Sequence, residues 1–130
     1  MSLAYALDEF GRTLGLGGLS LPPQGALHMA LAGGQRRLSL EAAGEELLLY
    51  MTVPVPHLDN AQVLQMLQEC DLRRRPPHEP ELQLARRGVG ADAVLVLLVR
   101  WPQDRVQASG LHASVDLIER SLQQWLGLHA

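Results

Sequence analysis

Lysine is absent, and all eleven basic residues of this 130-residue chain are arginine. That excludes Schiff-base chemistry, a phosphate-loop lysine and a lysine general base. Cysteine is nearly absent: Cys70 stands alone, so no internal disulfide can form. Its place in a helical apolar stripe reads as a small hydrophobe in a reducing compartment. No apolar run approaches the ~20 residues of a membrane span. The first ten residues lack a basic region and carry Asp8 and Glu9, which argues against a signal peptide and for a soluble, intracellular protein. The formal net charge is only -3, which leaves no electrostatic footprint for nucleic acid or an anionic membrane.

The usual apparatus of catalysis and metal binding is missing as well. His28, His57, His78, His112 and His129 are scattered, with no HxxxH pair, so no metal site is expected. Gly-Leu-Gly-Gly at 15–18 follows a helical segment instead of a strand and lacks the GxGxxG spacing, so it reads as a loop. There is no GxSxG elbow. The acid pairs Asp8-Glu9 and Glu45-Glu46 are sequence neighbours, whose side chains diverge on a regular element and cannot share a proton. The expectation is a protein with no enzymatic activity and no cofactor.

What is present is aliphatic side chain, arranged in periods. Hydrophobic residues make up 47% and charged residues 19%, a globular balance, and the length fits a single domain over 1–130. The densest run, 94–99, is six large aliphatics bounded by Gly88, Gly90 and Asp92 before it and Pro102 after it. So short and valine-rich a run is a strand buried on both sides, covered on one by helices of its own chain and on the other by a second copy or a ligand chain.

Around that strand the chain reads in order. Leu3, Leu7, Phe10 and Leu14 step as one helical stripe that Gly15 ends. Alternation at Leu27, Met29 and Leu31, then at Leu38, Leu40 and Ala42, predicts a hairpin turning at Gly33-Gly34. A turn at Gly44-Glu45 leads to a third strand with Leu47, Leu49, Met51 and Val53 on one face and Leu48 and Tyr50 on the other. Asp59, with Gln62 at the capping-box position, starts a second helix. Its residues Val63, Leu64, Met66, Leu67 and Cys70 span an arc wider than one contact needs. The segment 73–80, Arg-Arg-Arg-Pro-Pro-His-Glu-Pro, is a solvated loop. A strand near 82–86 forms a hairpin with the long strand, and Leu111, Val115, Ile118, Leu122 and Trp125 define a closing amphipathic helix. The order is α-β-β-β-α-β-β-α, an α+β fold with an antiparallel sheet packed by helices. The two-sided strand, the wide stripe of the second helix and the outward Leu48 and Tyr50 together exceed what one small core uses, and point to protein interfaces.

The order of elements, with Phe10-Gly11-Arg12-Thr13-Leu14-Gly15-Leu16, Leu47-Leu48-Leu49-Tyr50-Met51, Val63-Leu64-Gln65-Met66-Leu67, the strand at 94–101 and the helix ending in Trp125, resembles the class I type III secretion chaperones, the Tir-chaperone-like family of small acidic bacterial proteins. The resemblance covers nearly the whole chain and rests on pattern. It implies a cytoplasmic, homodimeric, ATP-independent chaperone that holds the N-terminal chaperone-binding segment of a secreted effector in an extended state. It also implies delivery to the secretion apparatus, with the secretion ATPase as a further partner. A regulatory adaptor of the same fold, binding a transcriptional regulator or anti-activator, is the alternative. The family's dimer contacts map here to Val63, Leu64, Leu67, Val94, Val96, Leu97, Leu98 and Trp101. Its effector contacts map to Leu3, Leu7, Phe10, Leu14, Met29, Leu31, Leu38, Leu40 and Leu49.

Overall fold

The computed structural model describes residues 2–22, 25–31, 35–70 and 80–127. The expected Gly33-Gly34 turn, His78, His129 and the arginine-proline loop, Pro80 apart, lie outside the described residues.

Helix α1, Leu3–Thr13, begins where the Ser2 hydroxyl accepts the Tyr5 N–H at 3.1 Å, and ends with Gly15 at φ +76° just past the Leu14 cap. Strands β1 (Ala26–Ala30), β2 (Arg37–Ala43) and β3 (Glu46–Pro54) form the expected meander. Helix α2, Asn60–Glu69, carries the full capping box. Asp59 Oδ1 accepts the Gln62 N–H at 2.8 Å, and Gln62 Oε1 accepts the Asp59 N–H at 3.3 Å. Strands β4 (Leu82–Arg87) and β5 (Val94–Pro102) follow, then α3, Ala108–Leu126. Among the described residues, the single-turn 3-10 segments Gly90–Asp92 and Gln103–Arg105 are additions to the expected order. The fold is α+β in the order α-β-β-β-α-β-β-α.

The five strands form one antiparallel sheet in the order β1-β2-β3-β5-β4, so the long strand reaches back across α2 to pair with β3 along its whole length, from Glu46↔Pro102 to Pro54↔Val94. Among the described residues, β1 pairs only with β2 and β4 only with β5, and both sheet edges are left open.

All three helices pack on one face of this sheet. Phe10 of α1, Met66 of α2 and Leu111, Ile118 and Leu122 of α3 join Leu38, Leu40, Leu49, Met51, Leu95, Leu97 and Val99 in one buried cluster. Each such side chain yields roughly 1.5–3 kcal/mol on leaving water. Polar links fix the helices over it. The His112 ring meets Phe10 edge-on at 4.8 Å and bonds the Thr13 hydroxyl, locking α1 to α3. Arg36, buried at the head of β2, pairs with Glu119 of α3. The Trp101 indole N–H donates to Ser114 Oγ at 2.9 Å, and that hydroxyl donates to the Gly110 carbonyl at 2.8 Å.

Candidate functional site

The pleat divides β3 and β5 between two unlike environments. Leu47, Leu49, Met51, Leu95, Leu97 and Val99 face the helices with no exposure at all, whereas Leu48, Tyr50, Thr52, Val94, Val96 and Leu98 face the other way and are only half-buried. Among the described residues no helix covers that second face. It forms an open hollow of about 600 Å³, walled by Arg37, Glu41 and His28 on the β1–β2 side and by Gln83 and Arg87 on the β4 side.

The hollow has a polar, hydrogen-bonded side and an aliphatic side. Ser39 is fully buried beneath the face, with Oγ 2.6 Å from His28 Nδ1. The Tyr50 hydroxyl donates to Glu41 Oε1 at 3.3 Å. Burial pushes the Tyr50 phenol above its ordinary value near 10, and the neighbouring Glu41 carboxylate raises it further by opposing a second negative charge. Leu98 and Val96 lie beside Tyr50 and Thr52 in register.

The expected dimer residues fall into three places. Val94, Val96 and Leu98 are on the bare face, and Leu64 and Leu67 stand out from α2 at 57% and 46% exposure with Val63 half-buried beside them. Leu97 and Trp101 do not belong with them. Period-two alternation turns both toward the helices, where Leu97 is wholly enclosed and Trp101 is held against α3. The α2 residues also lie apart from the bare face, because α2 sits on the helix side, where Gln62, Gln65, Met66 and Glu69 share a small cleft with Gln124 and Trp125 of α3.

The expected partner-binding residues divide in the same way. Leu7, Phe10, Leu38, Leu40 and Leu49 are core, each 2% exposed or less, because the stripe that looked available in sequence is what the helices bury. Leu3, Met29 and Leu31 are half-buried at the core's margin, and Leu14 is 39% exposed. Two apolar residues absent from the expected set, Tyr5 and Leu16, are more exposed than any of these, at 52% and 55%. The polar members of the bare face were also missed, since only the outward Leu48 and Tyr50 signalled that face in sequence. Among the described residues no three His, Cys, Asp or Glu side chains gather as a metal site would require, and no helix is long and apolar enough to cross a membrane.

No protein-family model matches the sequence, and no match is found among curated proteins. Solved structures do match in fold. The Yersinia pestis type III secretion chaperone SycH, in complex with a stable fragment of YscM2, aligns with a TM-score of 0.71 at 15% identity, over 94% of this chain and 98% of that one. A chain of the ExoU–SpcU complex, from the type III secretion system of Pseudomonas aeruginosa, aligns at 0.63 with 19% identity, over 93% and 95%. YbjN of E. coli, for which a role in transcription regulation has been suggested, aligns at 0.53 with 12% identity, over 97% and 89%. The chain therefore has the fold of type III secretion chaperones.

Proposed function

We propose that this protein is a cytoplasmic chaperone that binds the N-terminal segment of a type III secreted effector, keeps it extended and passes it to the secretion apparatus, with no catalytic step of its own. The observation that carries this reading is uncovered apolar surface on a fold whose solved representatives include a secretion chaperone holding a protein fragment. Leu3 at the start of α1, Leu14 and Leu16 just past its end, Met29 on the edge strand β1 and Leu31 just past that strand offer apolar side chains to a partner. The open edges of β1 and β4 offer main-chain hydrogen bonds. A segment disordered when free supplies both kinds of contact once it is extended, and spends part of the interaction energy on becoming ordered. The chain also works as a dimer in this reading, through the outward residues of β5 and α2, and the secretion ATPase is the downstream partner.

The test is to isolate the natural partner from the source bacterium, trim the complex with protease and identify what stays bound. A protected N-terminal segment on the order of 50–100 residues, enough to bury the ~1,000–3,000 Å² of coupled folding and binding, is the expected result. Leu14→Asp combined with Leu16→Asp should weaken its capture at an unchanged melting temperature. A partner bound as a folded domain, and bound equally without its N-terminal segment, would replace this reading with that of a regulatory adaptor.

A further inference from the structure

Helix α1 closes in a complete Schellman motif. The Leu16 N–H bonds the Gly11 carbonyl at 3.0 Å and the Gly15 N–H bonds the Arg12 carbonyl at 3.0 Å, with Gly15 in the left-handed conformation between them. Such an ending commonly packs the apolar residue after the glycine, here Leu16, onto the last turn of the helix, at the positions held by Phe10 and Gly11. Neither receives it. Phe10 is wholly buried, edge-on to the His112 ring, and Gly11 has no side chain. Leu19 takes the place over Gly11 instead. The left-handed Gly17 turns the chain back, and the Gly17 carbonyl and Leu19 Cγ stand where a Gly11 side chain would begin. Leu19 is thereby half-buried against the core, while Leu16 is left 55% exposed and Leu14 39%.

The backbone that carries these two leucines is held from several sides. Thr13 donates to the Phe10 carbonyl at 2.7 Å and bonds His112 of α3, which fixes the last turn of α1. The Asp8 carboxylate lies where a side chain on Gly18 would stand, so the loop rests flush on the helix. An exposed leucine on a loose segment loses conformational freedom when a partner covers it. On a backbone fixed beforehand it loses little, and more of the apolar contact survives as affinity.

We propose that Leu19 is a positioning residue. By filling the notch over Gly11 it denies Leu16 a seat within the chain, and displays Leu16 and Leu14 as a fixed apolar knuckle for an apolar side chain of the partner's extended segment. This rests on the reading that an N-terminal segment is bound, and it adds Leu19, Gly11 and Gly18 to what decides its capture.

The probe is the protease-trimmed N-terminal segment recovered from the natural complex, titrated calorimetrically into the full chain. Leu16→Ala should weaken binding on the order of tenfold. Leu19→Ala should weaken it at least about threefold, and by less than about twofold once Leu16 is already alanine, because its effect passes through Leu16. Leu19→Met, which still fills the notch, should restore binding. Val55→Ala, a core truncation beside the start of β5, should lower the melting temperature and leave binding unchanged, which separates positioning from general loss of stability. A Leu19→Ala chain that binds as the wild type does overturns the proposal and leaves the chaperone reading standing. Fully additive losses in the double variant overturn it in favour of direct contact between Leu19 and the partner. Tighter binding by Leu19→Ala overturns it in the opposite sense, making Leu19 a plug held in the partner's place. A wild-type chain that does not bind the segment overturns the chaperone reading and this proposal together.

Discussion

The two faces of the sheet are built by the same strands from nearly the same residues, yet they behave as different materials. On β5 the inward residues Leu95, Leu97 and Val99 have no exposure, and the outward Val94, Val96 and Leu98 remain half-buried. Inward neighbours are the helices, with α3 held by a part-buried ion pair and by the Trp101–Ser114 and His112–Thr13 bonds; among the described residues, outward neighbours are the adjacent strands and a few polar rims. Aliphatic character in a strand therefore reports that both sides want cover. It does not report whether the chain itself supplies it. Cover from within stabilises the fold, and cover from outside stabilises an assembly.

Truncating neighbouring leucines on opposite faces should break that comparison most sharply. Leu97→Ala opens a cavity among residues that cannot collapse into it, and a loss of about 2–5 kcal/mol is expected in urea unfolding. Leu98→Ala, one residue along, should cost the isolated fold less than about 1 kcal/mol, since its side chain is already half in water. Its effect should appear instead in the dissociation constant of the dimer. Equal stability losses for the two variants would mean that the bare face is packed as tightly as the covered one.

The covered side should also refuse added atoms. Gly11 sits in α1 where the following loop crosses it, and a Cβ there would lie 2.6 Å from the Gly17 carbonyl oxygen and 2.5 Å from Leu19 Cγ. Gly11→Ala would gain up to ~1 kcal/mol of helix propensity, but a backbone oxygen cannot step aside as a flexible side chain can. A net destabilisation of about 1–2 kcal/mol is expected, read as a lower melting temperature. An unchanged or raised value would show that the 16–19 loop yields freely.

The smallest effect is one of pH, and it belongs to the bare face. Tyr5 and Tyr50 are the two tyrosines of the chain, so phenolate absorbance in a Tyr5→Phe background follows Tyr50 alone. Its midpoint should lie above the ordinary value near 10, and Glu41→Gln should bring it down by removing the opposing charge. The folded chain keeps this proton at pH values where the unfolded chain has lost it. The unfolded state therefore binds fewer protons above about pH 10, and stability falls as pH rises through that value to the raised one. Tyr50→Phe should flatten this part of the profile. A midpoint that rises with protein concentration would show that a second copy buries the phenol further.

Much of the architecture is legible before any coordinates, because it depends on near neighbours. The stripe of Leu3, Leu7 and Phe10, the Asp59–Gln62 capping box, the Gly44 turn and the alternation of β2 and β3 are each set by residues within a few positions of one another. The site was harder to read. Phe10, Leu38, Leu40 and Leu49 carry the same apolar signal whether a partner or an α3 residue lies across from them, and here Leu111, Ile118 and Leu122 of α3 complete their core. Leu97 and Trp101 likewise look no different in sequence from Leu98.

By itself, then, the sequence determined which segments are helix and strand, the absence of lysine chemistry, and an excess of apolar side chain over one small core. Only the tertiary structure decided which of those side chains the molecule buries for itself. Periodicity records that residues share a face. It holds no record of which face the helices cover, because that depends on β5 crossing back to β3 and on α3 closing over the pair, contacts between residues some forty or more positions apart.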